Sequence, residues 1–249
     1  MTPDPNPNPD PKRIAMWSGP RNLSTAMMYS FAARGDCRVW DEPFYAAYLN
    51  ATGIDHPMGG DVIASGMTDP TAVADACVTS QSAEQSLFYQ KHMTLHMIPE
   101  FDRGFMRALT NVFLIRHPAR VIASYAQKRE APTLADIGFV QQAQMFDQVA
   151  DWLGKPPIVI AAEDIRAAPR EMLTRLCDAL GLGFVDTMLR WQAGPKPYDG
   201  VWAPHWYNAV HASTGFGAAE GPLPTLPSDY HELLDQALPH HAHLARYKL

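Results

Sequence analysis

Arg13-Ile14-Ala15-Met16-Trp17-Ser18-Gly19-Pro20-Arg21-Asn22-Leu23-Ser24-Thr25 reads as three things in succession: a short apolar run, a tight polar turn, and the start of a helix. The apolar run Ile14 to Trp17 is too short for a buried helix and has the length of a buried strand. Leu23 to Ala33 has helical character and stops at Arg34-Gly35. Strand, turn and helix in that order form the opening unit of an α/β fold.

The same alternation continues outward. Arg38 to Trp40 predicts a second strand, followed by Asp41-Glu42-Pro43 and a helix over Phe44 to Asn50. Residues 51 to 68 are rich in Gly, Asp and Pro and predict a loop, and Pro70 to Thr79 a helix. Strands are expected at Ser86 to Lys91, Asn111 to Ile115 and Pro157 to Ala161. Helices are expected at Ala119 to Gln127, Thr133 to Leu153 and Pro169 to Leu180, the last stopped by Gly181. Short apolar strands alternating with helices imply a three-layer α/β fold, a mostly parallel sheet flanked by helices on both faces. Residues 1 to 11 alternate Pro with polar residues and predict a disordered tail, leaving 12 to 249 as a single domain. Trp191 to Pro227 interleaves Gly and Pro with aromatic residues, and so long an irregular segment predicts a lid or binding loop over 191–227. Beyond it, Asp229 to Leu238 predicts a helix, and His240, His241 and His243 a solvated end.

The turn after the first strand has the chemistry of an anion site. Backbone N–H groups at a helix N-terminus lack intrahelical partners and carry the positive end of the dipole. Arg21 adds a fixed cation, and Ser24 and Thr25 add hydroxyl donors. Leu23 and Ser24 stand where a magnesium–ATP loop carries Gly-Lys, which counts against that ligand. The local sequence equally allows a simple helix cap with Arg21 in solvent.

Trp17 to Thr25 resembles the 5′-phosphosulfate loop of sulfotransferases, in which Pro and a basic residue precede small residues and a Ser/Thr pair. Val112-Phe113-Leu114-Ile115-Arg116-His117-Pro118, with Ser124 eight residues after Arg116, is similar to that family's 3′-phosphate motif. Ile158 to Ile165, with the helix through Leu180-Gly181-Leu182, is similar to a third segment of the family. Asp41-Glu42-Pro43-Phe44 places the likeness among bacterial sulfotransferase-like proteins. The resemblance implies a P-loop NTPase-like (sulfotransferase) fold, 3′-phosphoadenosine-5′-phosphosulfate as donor, and a small-molecule hydroxyl as acceptor. It implies donor binding by Pro20, Arg21, Asn22, Leu23, Ser24 and Thr25, with Arg116 and Ser124 on the 3′-phosphate. The chain departs from the family in having Ala162 where Tyr is usual, and in lacking the C-terminal Arg-Lys-Gly-x-x-Gly segment. Lys196 is the candidate to approach the 3′-phosphate in place of that segment.

Sulfuryl transfer needs a base for the acceptor proton and cations near the leaving oxygen. Glu42, at the carboxyl end of a parallel strand, is the first choice for the base. Asp41 is its rival, since neighbours on a strand face opposite sides and only one is expected to point inward. Lys91 and His92 end another strand and are candidates to meet the acceptor or the sulfuryl oxygens, His92 also as a base. His92 and His96 have a metal-pair spacing without a Glu-x-x between them, and no metal is expected. Two other classes stay open: a P-loop kinase or nucleotide hydrolase using the strand-end acids 41–42 and 163–164, and a non-catalytic nucleotide-binding protein of the same fold.

Composition narrows the partners. A net charge of −6 over 249 residues gives no cationic face for nucleic acid or anionic lipid. Cys37, Cys77 and Cys177 are widely spaced, which implies neither a disulfide framework nor a zinc knuckle and points to a cytoplasmic setting. No secretion signal and no membrane span are expected.

Overall fold

The computed structural model describes residues 10–79, 85–127 and 132–249; the expected tail falls mostly on residues 1–9, outside that set. The chain runs β1 (Lys12–Ser18), α1 (Ser24–Ala32), β2 (Cys37–Asp41), α2 (Tyr45–Thr52), α3 (Gly59–Ser65), α4 (Pro70–Val78) and β3 (Leu87–Met93). It continues with β4 (Thr110–Ile115), α5 (Pro118–Tyr125), α6 (Leu134–Ile137), α7 (Phe139–Leu153), β5 (Ile158–Ala161), α8 (Ala162–Ala167) and α9 (Pro169–Ala179). After α9 come α10 (Ala203–Trp206), α11 (Asn208–His211) and α12 (His231–Ala245).

The five strands form one parallel sheet in the order β2-β3-β1-β4-β5. The chain works to one side of β1 through β2 and β3, then crosses to β4 on the other side. Ligands of open α/β sheets bind at such a reversal, outside the carboxyl ends of the strands. Strand alternation divides the core into two layers. Ile14, Met16, Tyr89, Leu114 and Ile160 pack with α1, α8 and α9. Ala15, Trp17, Phe113, Val159 and Ala161 pack on the other face with α4 and α7.

Three expected segments differ from the structure. The predicted loop 51–68 contains α3, whose Val62 is buried against Tyr45, Leu49 and Trp202. The apolar burial that holds this helix is supplied by residues distant in sequence. The predicted helix Thr133 to Leu153 is two helices, broken at Gly138 with φ 69°. The histidine-rich end is no solvated tail: α12 continues through it, with Pro239 inside the helix. His243 there pairs with Asp147 at 2.6 Å. Burial, helped by His117, pushes His241 down to about 4. The terminal Leu249 N–H then donates to the Val159 carbonyl at 3.0 Å, along the edge of β5.

Two glycines bring the break between α6 and α7 against the turn after β1. A Cβ on Gly19 would lie 2.7 Å from the Ile137 carbonyl oxygen, and one on Gly138 would lie 2.8 Å from Thr94 Oγ1. Thr94 Oγ1 in turn sits 3.3 Å from the Ser18 carbonyl and 3.1 Å from that of Gly138. From α7, Gln142 Nε2 donates to the carbonyls of Trp17 at 3.1 Å and Leu114 at 3.0 Å, satisfying the buried ends of β1 and β4.

Gly138→Ala should cost about 2 kcal/mol or more in urea unfolding, since it adds a left-handed backbone penalty to a clash with the buried Thr94 hydroxyl. Gly154→Ala, with φ 65° and nothing within 4 Å of the added carbon, should cost only about 1 kcal/mol.

Candidate active site

A cleft of about 440 Å³ opens at the carboxyl ends of β1, β3 and β4. Pro20, Arg21, Asn22, Leu23, Ser24 and Thr25 line one end, together with Arg116 and Ser124. Glu42 and Lys91 line the other. The sequence therefore places ten of its candidates in one cavity although they come from four separate segments. His92 and Lys196 are not among the lining residues.

At the first end the turn between β1 and α1 holds Arg21 at φ 62° and Leu23 at φ 70°. Two left-handed residues separated by one other turn successive N–H groups toward a common side, which is the geometry of an anion nest. No side chain caps α1, so its first N–H groups also remain for a ligand. Arg116 closes the turn from β4, donating through Nη1 to the Arg21 carbonyl at 2.6 Å. Arg21 Nε donates to Ser124 Oγ on α5 at 2.9 Å. Burial and the neighbouring Arg116 charge lower the pKa of Arg21, so the pocket holds like charges close together. That arrangement favours an anion between them.

At the second end Asp41 and Lys91 are directly paired neighbours on β2 and β3. Lys91 is 1% exposed, and its Nζ donates to Asp41 Oδ1 at 2.9 Å, to Tyr207 Oη at 2.8 Å, and to Glu42 Oε1. Both acids reach the same ammonium although they are neighbours at a strand end. Glu42 has φ 44°, a left-handed backbone that breaks the strand's alternation, and both carboxylates reach Lys91. Such a conformation in a non-glycine residue costs energy and needs surrounding contacts to hold it. Burial works against the Lys91 ammonium, but Asp41 and Glu42 outweigh it and its pKa is raised. For Glu42 burial prevails over the pull of Lys91, and its pKa is raised as well. Two carboxylates share one ammonium, so the group as a whole readily accepts a proton.

Only one of the two acids is open to the cleft. Asp41 Oδ2 accepts from the Tyr207 hydroxyl at 2.7 Å and from the Gly200 N–H at 3.1 Å, which ties down the segment after α9. Glu42 faces the cavity, with His96 Nε2 at 4.0 Å from its Oε2.

His92 is a correction. Along β3, Lys91 points into the cleft and His92 to the opposite face, where it stacks on Trp17 at 4.1 Å and contacts Gln90 Oε1 at 3.1 Å. Burial and then the Lys91 charge push its pKa down to about 3, so His92 is a weak base that faces away from the cleft. Lys196 spends its ammonium on the carbonyls of Gln192 at 2.6 Å and Gly194 at 2.9 Å, and so braces its own loop. Among the described residues no cluster of three or more metal-ligating side chains occurs.

Several lining residues are invisible to sequence reasoning. Tyr207 bridges Lys91, Asp41 and Trp202, whose Nε1 donates to Tyr207 Oη at 3.0 Å. Tyr45, Tyr48, His56, His96 and Trp206 form an aromatic wall beside Glu42. The His96 ring lies between Tyr45 at 4.5 Å and Tyr48 at 5.0 Å, and burial keeps its pKa well below the ordinary value. Arg166 reaches the basic end from α8. Of the wall, Trp206 alone lies in the aromatic-rich stretch 191 to 216; the other four come from segments that gave no such signal.

A family model described as a sulfotransferase domain matches residues 12–247, and the chain belongs to that family. Solved structures agree on the fold. The sulfotransferase domain of the Synechococcus PCC 7002 olefin synthase superposes with a TM-score of 0.51 at 19% identity, over 94% of this chain and 96% of that one. The sulfotransferase domain from the curacin biosynthetic pathway gives 0.50 at 18% identity, over 91% and 97%. Two Arabidopsis thaliana proteins are similar in sequence. Branched-chain-amino-acid aminotransferase-like protein 1 is 36% identical over 92% of this chain and 41% of its own length. Protein 2 is 34% identical over 91% and 40%. The chain thus spans about two fifths of the curated relatives it matches.

Removing the shared cation tests the electrostatic account. Lys91→Met leaves two buried carboxylates facing each other and should cost about 3–5 kcal/mol at pH 7. Glu42, already raised by burial, would lose the cation that opposes the rise. The variant's stability should therefore be highest below about pH 4 and fall as pH rises through the raised value of Glu42, so its deficit against wild type narrows on acidification. Urea titrations at several pH values read this directly.

Proposed function

We propose that this protein transfers a sulfuryl group from 3′-phosphoadenosine-5′-phosphosulfate to a hydroxyl of a small-molecule acceptor. The observation that carries the reading is a single cleft with an anion-binding turn at one end and a buried carboxylate–ammonium pair at the other. The residues present fit a donor with phosphates at both ends. The turn from Pro20 to Thr25 offers uncapped N–H groups and Arg21 to the 5′ side. Arg116 and Ser124 suit the 3′-phosphate, and Arg116 keeps a buried Nε–H without a hydrogen bond. When bound, the donor supplies an activated sulfur whose bond to the phosphate oxygen breaks as a bond to the acceptor oxygen forms, leaving adenosine 3′,5′-bisphosphate.

Within that reaction Glu42 takes the acceptor's hydroxyl proton, for which a raised pKa makes it a better base than an ordinary carboxylate. Lys91, kept charged by Asp41, holds Glu42 in place and places positive charge beside the reacting oxygens. The aromatic wall excludes water from that end of the cleft.

The kinase or hydrolase reading has less support from its strand-end acids. Glu163 accepts the His117 N–H at 2.7 Å, Asp164 pairs with Lys248 at 2.8 Å, and Asp41 is bound to Tyr207 and Gly200. These acids are committed to structure and are poor candidates for holding magnesium. The aminotransferase-like name of the plant relatives belongs to chains more than twice as long. Lys91, as a doubly paired ammonium, is ill suited to imine formation, so no such step is assigned.

Adenosine 3′,5′-bisphosphate should bind at least about tenfold more tightly than adenosine 5′-phosphate without magnesium, since one charge-assisted contact is worth roughly 1.5–3 kcal/mol. Arg116→Ala should erase the difference. Calorimetry giving equal affinities for the wild type would remove the donor assignment.

Glu42→Gln keeps the shape of the side chain and removes its basic site, so turnover of a sulfated product should fall roughly 10²–10⁴-fold with little change in bisphosphate affinity. In the wild type the acid limb of the kcat/KM profile should lie above the ordinary carboxylate range, because activity needs the ionised form of a group whose pKa is raised. A profile flat through that range would count against Glu42 as the base.

A further inference from the structure

The basic end of the cleft carries more positive charge than the turn and Arg116 account for. Arg120 on α5 and Arg166 on α8 point to the same place as Arg116, and all three converge on a carboxylate of the protein itself. Glu220 accepts from Arg116 Nη2 and, at 2.9 Å, from Arg166 Nη1, and its Oε2 lies 3.1 Å from Arg120 Nε. The same guanidinium groups hold the backbone on either side. Arg166 Nε donates to the Ala218 carbonyl at 3.0 Å, and Arg120 Nη2 donates to that of Gly221. Residues 218–221 are strapped across the basic end, with the Glu220 side chain only 6% exposed.

One carboxylate fits this place poorly. With Glu163, whose Oε1 lies 3.9 Å from Arg120 Nε, it brings two negative charges to three guanidinium groups, and Arg21 adjoins them through Arg116. The Arg120 Nε contact is close enough for an ion pair but not aligned as a hydrogen bond. Buried Arg116 Nε, Arg120 Nε and Glu220 Oε2 are all left without hydrogen-bond partners. Unmade hydrogen bonds at buried charged groups are costly. A phosphate carries up to twice the charge and three terminal oxygens, and guanidinium forks match it geometrically.

We propose that Arg116, Arg120 and Arg166 make up one phosphate subsite, and that Glu220 is its internal competitor, which the 3′-phosphate of the donor displaces. Displacement frees residues 217–221, so donor binding and release of this strap are one event. The inference rests on the donor reading above and adds two phosphate ligands and a competing carboxylate to it.

The test uses the full chain, with adenosine 3′,5′-bisphosphate and adenosine 5′-phosphate as probes in calorimetry. Glu220→Ala should bind the bisphosphate at least about tenfold more tightly than wild type, the loss of one competing charged contact, while 5′-phosphate affinity stays within about twofold. Glu220→Gln, which keeps the side chain's shape, should shift in the same direction and guards against a folding defect in the alanine variant. Arg166→Ala should weaken the bisphosphate alone. In the wild type, amide hydrogen exchange over 217–221 should speed up on adding bisphosphate. Unchanged or weaker binding in both Glu220 variants, or slower exchange over 217–221, overturns the proposal while leaving the donor reading intact. Failure of the bisphosphate to bind wild type and variants alike overturns both.

Discussion

The ammonium of Lys91 is the charge around which the cleft is organised. A buried lysine is tolerated only with compensating partners, and here they come from three places: Asp41 on β2, Glu42 just past it, and Tyr207 far along the chain. Each partner brings a structural consequence. Asp41 reaches on to the Gly200 N–H, Tyr207 to Trp202, and Trp202 to the group containing Tyr45 and α3. The segment after α9 is thus drawn over the cleft by a polar network as well as by its aromatic rings. Glu42 is bent into a left-handed backbone at the same point, which places a carboxylate of raised pKa inside the cavity.

The opposite end is built on the reverse principle. There the cations are guanidinium groups, and they are spaced by backbone. Arg116 is held by the Arg21 carbonyl, and Arg21 by the Ser124 hydroxyl, so guanidinium groups that repel each other are fixed side by side. The cleft consequently has a basic end and an end whose carboxylates exceed its ammonium by one. An anion is drawn to the first and a proton to the second. That polarity suits transfer of an anionic group onto a hydroxyl that must lose its proton.

Gly19 and Gly138 show how the packing of the sheet supports this polarity. Their lack of side chains lets the α6–α7 break lie against the turn after β1, while Gln142 satisfies the carbonyls at the ends of β1 and β4. The turn therefore rests on fixed polar contacts from the second face of the sheet.

Much of this was legible in the chain before any fold was known. Ile14 to Trp17, Asn111 to Ile115 and Pro157 to Ala161 identify buried parallel strands because so short and apolar a run has few other stable settings. The turn from Gly19 to Thr25 was readable because it directly follows a strand end, and the pair Arg116 and Ser124 because its segment resembles the sulfotransferase 3′-phosphate motif. The break at Gly138, the helix α3 and the extension of α12 through its histidines were not, since each is decided by what a distant segment packs against it. The same holds inside the cleft. Local sequence nominated Glu42, Lys91, His92 and Lys196 alike. Strand alternation turned His92 onto Trp17, and the loop's own carbonyls claimed Lys196. The positive φ of Glu42 brought both acids to one amine. Spacing along the chain determined which residues stand at strand ends; only the tertiary structure decided which share a cavity, because burial and charge pairing join residues 49 to 166 positions apart.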